Sequence, residues 1–493
     1  MKKPIRIPAL LLAGVFLLGM GSCKGDSGDS PTTTGKTEGS GPDRTTAVEV
    51  MPDIPEGLDF SGTEFRMIAR NASNYYADEL WVADSGKTDV DSKVYGRYKS
   101  IEETYGVSFK LDTKTTEVDI DPWMNVNSLV AGPEDTYHLV ATHGRSCANY
   151  AVKGLASDWN RLRYVNLNAG WWSQDAQKQW TALSGSIYMM TGDISYLSVG
   201  QAVGQFFNKN LLRNAGLEFP YQLVRDHNWT YENFEQYVRQ LNSSLNGDNS
   251  GNIKTDSTGY ATGWWRGPMN IIYSTGGRWL NVTEDDITVV GVNDHNLTNA
   301  FDRYFDFLKL NGIMIGGDYG NAQQAFTENR VGFYDEITLR AAEFKRVDTG
   351  FFGLVPMPKY DTTVDRNYTF VNAAINTFTV PACVLKDRET AEMTSVILEL
   401  MAFYGCRDVL PTYYREMLTV GSMTDVDSVE MMEIIRNSLT YDLGYYYNIN
   451  GFCDIGQLIA SDLAGGTVSQ FSTKYASLID KVSKPLSEWK SLD

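Results

Sequence analysis

The chain has 493 residues, of which 42% are hydrophobic, and its formal net charge at pH 7 is −18. This length is too great for one hydrophobic core, so we expect two or more subdomains. The acidity argues against nucleic acid and anionic lipid as ligands, because both require basic surfaces.

The first 22 residues have the pattern of a secretory signal peptide, with a basic start, an apolar run at 7–20 and two small residues before Cys23. Small residues directly before a cysteine resemble the lipobox of bacterial lipoproteins, although Met20 stands where a leucine is usual. We therefore predict that Cys23 is the lipidated first residue of the mature protein. A plain signal peptide and an uncleaved anchor are the alternatives, but the apolar run is short for a membrane span.

Residues 23–58 are predicted to form a flexible tether. No large apolar residue occurs between Cys23 and Val48, and Gly, Ser, Thr and Asp dominate the segment. Such a composition cannot bury enough apolar surface to fold. We expect an exported protein, lipid-anchored at the outer face of the bacterial cytoplasmic membrane, whose folded body begins near residue 59.

The first part of this body alternates between strand and helix patterns. Short apolar runs at 65–69, 107–111 and 137–142 predict strands, while 90–105 and 120–130 have helical spacing and each ends near a glycine. This alternation predicts a parallel sheet with crossover helices.

The alternation continues further along the chain. Segments 187–191 and 205–207 are apolar and predict extended structure. Apolar residues at helical spacing, which we assign to core packing, predict helices after Thr230, at 301–308 before Gly312, at 393–401 before Gly405, and at 431–439 after the capping pair Asp427 and Glu430.

One stretch, 205–241, resembles the family 1 extracellular solute-binding proteins, which are the binding components of sugar ABC transporters and are related to maltose-binding protein. The resemblance is carried by FFNKNLL at 206–212, the turn at 216–220 and NWTYENF at 228–234. It continues at 258–260, at 353–359 (GLVPMPK) and at 373–381 (AAINTFTVP).

The resemblance implies an α/β fold of the two-lobed, type II periplasmic-binding-protein kind, in which each lobe is a mostly parallel sheet flanked by helices and a hinge joins the lobes. Lobe 1 would comprise residues 59–198 and 374–415, and lobe 2 residues 199–373 and 416–493. The chain would cross between them near 193–204, 372–378 and 410–419. The ligand would bind between the lobes at the carboxyl ends of the strands, and hinge closure would bury it.

A sugar needs aromatic rings for its C–H faces and polar side chains for its hydroxyl groups. By the family's layout, the loops after the first and third strands face the cleft. The alternative for these loops is a solvated turn or a local salt bridge. The lobe 1 candidates are Asn71, Asn74, Tyr75, Tyr76, His143 and Arg145.

In lobe 2, Trp264 and Trp265 are flanked by glycine and Arg266, and we expect one indole to form a cleft platform and the other to be in the core. Tyr334 and Asp335 are expected after a short strand, where relatives often have an aromatic ligand contact. Arg266 completes the lobe 2 candidates.

For two other groups of aromatic residues, we expect packing in the protein core and not contact with the ligand. Trp171 and Trp172 resemble a family position near the lobe junction. A group of four tyrosines could form a platform for the ligand at the edge of the cleft, but we favour packing of their loop on the folded body. The group consists of Tyr441, Tyr445, Tyr446 and Tyr447.

The loop at 246–260 is similar to calcium loops with alternating oxygen ligands, but it lacks their glycine at position 6 and glutamate at position 12. We favour a polar turn for this loop and predict no cofactor or metal. The calcium candidates are Asp248, Ser250, Asn252 and Asp256. The cysteines expected to be mostly buried free thiols are Cys147, Cys383, Cys406 and Cys453.

The sequence therefore predicts a monomeric binding protein that performs no chemistry. It would capture a carbohydrate, an oligosaccharide in particular, and deliver it to ABC permease subunits. The abundant aromatic residues favour a sugar over an amino acid or a metal ion as the ligand. A surface glycan-binding or sensor lipoprotein without a transporter is the first alternative. The second is a secreted glycan-active enzyme, for which the carboxylates available as an acid/base pair are Asp285, Asp286, Asp335 and Glu336.

Overall fold

The computed structural model describes residues 51–492, apart from 71–74, 87, 115–136, 245–253, 264–265, 311–312, 317–318, 345–350, 421–422 and 448–467. The strands are β1 (Glu64–Arg70), β2 (Ser108–Lys114), β3 (Leu139–His143), β4 (Val203–Asn208), β5 (Thr258–Gly263), β6 (Leu280–Val282), β7 (Ile287–Val289), β8 (Ile313–Gly316), β9 (Val331–Ile337), β10 (Phe352–Pro356), β11 (Thr369–Phe370), β12 (Asn376–Thr379), β13 (Thr419–Val420), β14 (Met423–Thr424) and β15 (Leu439–Thr440).

The helices are α1 (Tyr75–Asp78), α2 (Asp89–Tyr105), α3 (Gly144–Val152), α4 (Gln174–Trp180), α5 (Leu197–Gly200), α6 (Lys209–Asn214), α7 (Tyr221–Arg225), α8 (Tyr231–Ser244), α9 (Arg266–Ser274), α10 (His295–Leu308), α11 (Tyr319–Thr327), α12 (Ala341–Phe344), α13 (Arg388–Tyr404), α14 (Leu410–Leu418), α15 (Val426–Asn437), α16 (Leu443–Tyr447) and α17 (Val468–Lys490). Among the described residues, none of these helices has the length and apolar character needed to cross a bilayer.

The first lobe is built on a four-stranded sheet with the order β12-β3-β1-β2. Strands β1, β2 and β3 are parallel, and β12 runs antiparallel to β3. Helix α2 forms because Thr88 and Asp91 make a capping box at its start, and it ends at Gly106, whose φ of 70° is left-handed. The predicted strand–helix–strand unit is therefore present; the helix predicted at 120–130 lies outside the described residues.

The second lobe is built on a five-stranded sheet with the order β10-β4-β9-β5-β8. Strands β5, β8 and β9 are parallel, and β4 runs antiparallel to both β9 and β10. Every residue of β4, β9 and β10 is buried, because helices and loops cover both faces of this sheet. Polar residues in these strands are therefore buried with the apolar ones.

The chain passes between the lobes in three places. The first passage leads from Asp193 into β4, and the second leads from β11 to β12. The N–H of Asp193 donates to Trp171 O in the first lobe. These two passages are joined where Asn372 N donates to Gln201 O at 3.0 Å. The third, predicted near 410–419, is the helical stretch from α13 to α14. Helix α14 packs on α2 of the first lobe and on α15, which lies against β10 of the second.

The α-helix predicted over 393–401 ends directly before Gly405, as expected, but the glycine does not turn the chain out of the helix. Gly405 has right-handed helical φ and ψ angles, and residues Gly405–Val409 form a π-helical turn that leads directly into α14. A Cβ atom at position 405 would overlap the carbonyl oxygen of Asp193 on the first passage. The glycine therefore allows close contact between two passages, and the chain continues in helical form beyond it.

The predicted start of the last apolar helix is also displaced. Helix α15 begins after Asp425, whose side chain caps Ser428 N, so Asp427 and Glu430 lie within the helix. Both carboxylates pair with Arg225 of α7. They act in a surface ion-pair cluster and not as a cap.

The aromatic groups for which packing was favoured are packed in the body. The indole N–H groups of Trp171 and Trp172 both donate to Glu399, at 3.1 and 2.8 Å. Cys147 and Cys383 are buried free thiols, and Cys406 is a partly buried one. The tyrosines with at most 6% exposure are Tyr441, Tyr445, Tyr446 and Tyr447.

Candidate functional site

The carboxyl ends of the parallel strands in both sheets meet at the passages between the lobes. In the first lobe, His143 at the end of β3 pairs with Asn376, where β12 begins directly after the second passage. In the second lobe, Ile337 at the end of β9 pairs with Val203, where β4 begins directly after the first passage. The strand ends of both sheets therefore lie beside the passages, and we call the space between them the cleft. This is the usual place for a ligand in open α/β sheets.

Arg70, the last residue of β1, ties the first lobe to the second passage. Its guanidinium lies 3.7 Å from the centre of the Tyr76 ring and donates to Asn376 Oδ1 at 3.3 Å, Ile375 O at 3.1 Å and Ala374 O. Arg70 is only 2% exposed. It therefore supports the wall of the cleft and holds Tyr76, a predicted ligand residue, beneath its guanidinium.

Three of the other candidates in this loop lie outside what the structure describes: Asn71, Asn74 and the side chain of Tyr75. Their part in ligand binding stays a prediction.

His143 and Arg145 lie at the start of α3, at the carboxyl end of β3. His143 Nδ1 accepts the N–H of Arg145 at 3.2 Å, and both side chains are partly exposed. Burial lowers the pKa of His143 well below its ordinary value, and Arg70 and Arg145 lower it further, so the imidazole is neutral. Arg145 thus adds a partly exposed positive charge to the buried one of Arg70, and its guanidinium lies 5.7 Å from the ring centre of Tyr445.

The C-terminal tyrosines form one wall beside Arg145. Tyr445 OH bonds Asn372 Oδ1 and the N–H of Ala373, and Tyr446 OH donates to Val371 O. A Cβ atom at Gly144 would lie 2.5 Å from the ring of Tyr446, so the glycine allows this ring to pack on the start of α3. Helix α16 therefore joins the first lobe to the second passage.

Arg266 lies at the first position of α9, beyond the carboxyl end of β5, and forms a buried ion pair with Glu336 of β9. Glu336 also accepts hydrogen bonds from Tyr334 OH and from the N–H of Ile337, both at 2.8 Å. The pair fixes the start of α9 against the sheet. Trp264 and Trp265, which precede Arg266, lie outside the described residues.

Tyr334 and Asp335 lie inside β9, so the prediction that they follow the strand is wrong. Both side chains are fully buried. Asp335 accepts hydrogen bonds from Tyr260 OH and from Gln205 Nε2, the latter at 3.3 Å. Burial raises the pKa of Asp335 to about 7. In this conformation these two residues shape the core of the second lobe and do not face the cleft.

Sequence reasoning missed Glu79, whose carboxylate binds the first passage and the end of the second. Its carboxylate accepts hydrogen bonds from Ser195 OH at 2.5 Å and Leu197 N at 3.0 Å on the first passage, and from Asn376 Nδ2 at 2.6 Å at the end of the second. The side chain is fully buried, and burial raises its pKa to about 7. No local sequence signal marks this residue, because every side-chain partner is more than one hundred positions away.

Arg97 of α2 completes this buried group. It donates to the carbonyl oxygens of Glu79, Leu80, Ile194 and Met401. Through Met401, near the end of α13, the group also reaches the third passage. Glu79 and Arg97 together hold one side of the hinge.

Gln201 was missed as well. It lies on the first passage, is 2% exposed, and its Oε1 has no hydrogen-bond partner among the described residues. Its position beside Asn372 makes it a further polar residue of the hinge.

The carboxylates considered as an acid/base pair for glycan hydrolysis lie in two separate elements, β9 and the turn between β6 and β7. Asp335 and Glu336 are buried in β9 with the partners given above. Asp286 lies in the turn between β6 and β7 and pairs with Lys490 at 2.6 Å. Of the four calcium candidates only Asp256 is described; it is 7% exposed and accepts a hydrogen bond from Thr255 Oγ1. The described residues contain no cluster of metal-ligating side chains.

No protein-family model and no curated protein sequence matches the chain. Solved structures do match it. The GacH receptor of Streptomyces glaucescens, solved without ligand and with acarbose, is 14% identical with a TM-score of 0.52 over 86% of this chain and 99% of its own. The cyclic α-maltosyl-1,6-maltose binding protein of Arthrobacter globiformis is 12% identical with a TM-score of 0.53 over 87% and 99%.

A third match has a different ligand. UgpB from Mycobacterium tuberculosis, in complex with glycerophosphocholine, is 14% identical with a TM-score of 0.53 over 87% of this chain and 99% of its own. At such low identities these matches establish the fold. The chain has the two-lobed α/β fold of these binding proteins, as the sequence predicted.

Proposed function

We propose that this chain is the solute-binding component of an ABC transporter that captures a carbohydrate, an oligosaccharide in particular, between its two lobes and delivers it to membrane permeases. One observation carries the proposal: the strand ends of both sheets border a single cleft at the hinge, in the fold used by the acarbose and cyclic maltosyl-maltose receptors. Closure of the lobes on a ligand would commit it to delivery.

Arg145 is the described side chain that we propose for the ligand, because it is charged, partly exposed and placed at the carboxyl end of β3. Its planar guanidinium suits paired hydroxyl groups. Trp264 and Trp265 remain proposed aromatic contacts from the second lobe. We also propose that Cys23 carries the lipid anchor and that residues 23–58 tether the body near its transporter.

The test is isothermal titration of the purified body with neutral mono- and oligosaccharides. Saturable binding of an oligosaccharide is expected, and Arg145→Ala should weaken it about tenfold, the loss of one hydrogen bond to a charged group. The matched control is Arg163→Ala, whose side chain is 65% exposed outside the cleft and should leave affinity unchanged.

Glycerophosphocholine forms a separate arm of this titration, because one structural match was solved with that ligand. Binding of glycerophosphocholine with no response to any sugar would replace the carbohydrate proposal. A pair of permease genes beside the gene for this chain would support transport over a free-standing glycan sensor.

A further inference from the structure

A second interlobe space is lined by none of the strand-end residues described above. It is a cavity of about 530 Å³. Its lining includes Trp172–Asp175 and Lys178 of the first lobe and Asp193 and Ser198 of the first passage, together with Arg366, Arg436, Asn437, Leu439 and Tyr441. A neighbouring cavity of about 370 Å³ shares Asp175, Lys178 and Arg366 with it and adds Arg278. We call the two together the basic groove.

The charges in the basic groove are unbalanced. Lys178, Arg278, Arg366 and Arg436 line it, and among the residues that the structure describes its carboxylates are Asp175 and Asp193. The groove thus has two more positive than negative side chains, although the chain as a whole carries a net charge of −18. A local positive field in an interlobe cavity attracts anions.

Two of the four cations are already paired. Arg436 of α15 forms an ion pair with Asp193 and is largely buried there. Arg278 Nη2 donates to Asp175 Oδ1 at 3.0 Å, and both of these side chains are less than one-fifth exposed. Each of the two carboxylates in the groove is therefore already paired with an arginine.

The other two cations have spare bonding capacity. Arg366 reaches Asp175 only at 3.7 Å, beyond hydrogen-bond distance, and its side chain remains 42% exposed. Lys178 Nζ has no hydrogen bond or ion pair within the described part of the chain. One cation comes from α4 of the first lobe and the other from the segment before β11, and they face the same cavity.

We propose that the basic groove binds an oxyanion, with Lys178 and Arg366 as its main ligands. The guanidinium fork of Arg366 suits the paired oxygens of a phosphate, sulfate or carboxylate group, and Lys178 adds a point charge. Neutral hydrogen-bonding groups line the same cavity at Ser173, Gln174 and Asn437. A cavity of this volume also accommodates an oxyanion that is part of a larger molecule, such as an acidic sugar.

An anion held there contacts both lobes at once. It therefore stabilises the present separation of the lobes, because it binds this arrangement better than one in which Lys178 and Arg366 have moved apart.

The experiment is isothermal titration with inorganic phosphate at constant ionic strength. The wild-type body and Lys178→Ala/Arg366→Ala are compared with Lys93→Ala/Arg163→Ala, which removes one exposed lysine and one exposed arginine elsewhere in the first lobe. We expect saturable binding to the wild type and the control, and at least about tenfold weaker binding to the groove variant. No saturable binding to the wild type, or equal affinities in the two double variants, would overturn the proposal.

Further arms separate the two sources of an oxyanion. Glucuronate and glucose are titrated separately, because glucuronate has a carboxylate where glucose has a hydroxymethyl group. Binding of glucuronate that depends on Lys178 and Arg366, with no such dependence for glucose, assigns the groove to an acidic glycan. Binding of phosphate alone assigns it to a free oxyanion. Neither arm depends on the cleft ligand, so the groove proposal stands or fails separately from the transport function.

Discussion

Asp175 of α4 accepts a hydrogen bond from Arg278 Nη2 at 3.0 Å, and this contact joins the first lobe to the second. The same carboxylate accepts the N–H of Tyr441 at 2.7 Å, and Arg278 Nε donates to Tyr441 O at 3.0 Å. The two side chains and the Tyr441 backbone therefore form a closed set of polar contacts between the lobes. These contacts oppose any rotation that separates α4 from the second lobe.

Loss of the Arg278 side chain should weaken this set. Arg278→Ala is expected to lower the free energy of unfolding by about 2 kcal/mol, the value of a hydrogen bond to a charged group. Urea unfolding gives the stability, and small-angle scattering of the unliganded body should show a larger radius of gyration. An unchanged radius of gyration would show that the pair stabilises the fold without restraining the lobes.

Removal of Arg97 should have a larger effect. Arg97→Met removes the donor that the structure gives for the buried carbonyl oxygens of Glu79, Leu80 and Ile194, and each unsatisfied buried group costs about 1–3 kcal/mol. We expect a loss of at least about 3 kcal/mol in urea unfolding. Arg163→Met, at an exposed position, should change stability by less than about 0.5 kcal/mol.

Two glycine-to-alanine substitutions should change the stability of the protein in opposite directions. At Gly405 a Cβ atom would overlap Asp193 O, so Gly405→Ala should destabilise the protein by about 1–3 kcal/mol. At Gly96, within α2, nothing lies within 4 Å of the new Cβ atom, so Gly96→Ala should stabilise by about 0.5–1 kcal/mol. Thermal unfolding of both variants checks the prediction. Equal shifts would mean that the close contact at Gly405 is not required.

Stability should fall as the pH rises through neutrality. Burial raises the pKa of Glu79, Asp335 and Glu399 to about 7 and that of Asp442 to about 6. The folded state therefore binds these protons more tightly than the unfolded state, whose carboxyl groups titrate near 4. The resulting stabilisation is fully present below pH 4 and is lost as the pH rises through 6–7.

We therefore expect the free energy of unfolding to fall by about 3 kcal/mol or more between pH 5 and pH 8, measured by urea unfolding at each pH. Asp335→Asn should reduce this dependence, because it removes one of the titrating groups. The matched control is Glu103→Gln, at an exposed position of α2, which should leave the dependence as it is in the wild type. A stability that rises over this pH range would contradict the assignment.

The sequence patterns located most of the described elements but not the environment of their residues. The spacing around Thr230 and Phe301 predicted α8 and α10, because an amphipathic helix buries one stripe whatever it packs on. Tyr334 and Asp335 were misplaced because β9 is covered on both faces. A strand of this kind buries its polar residues too, so no alternation marks which of them face a cleft.

Gly405 illustrates the same limit at a single residue. A glycine after an apolar helical stripe ordinarily predicts a left-handed end to the helix. Here the glycine keeps right-handed angles because its missing side chain makes room for Asp193, more than two hundred residues earlier in the chain. Only the packed fold reveals that second reason for a glycine.

By itself the sequence determined the alternation of strands and helices and, through its resemblance, the two-lobed fold, because periodicity, caps and turns act over a few neighbouring residues. The tertiary structure decided which side chains border the cleft, which hold the hinge and which line the basic groove. Arg70 and Asn376 are 306 positions apart, yet their contact fixes one wall of the cleft. Such contacts depend on how two sheets and three passages come together, and no local pattern records that arrangement.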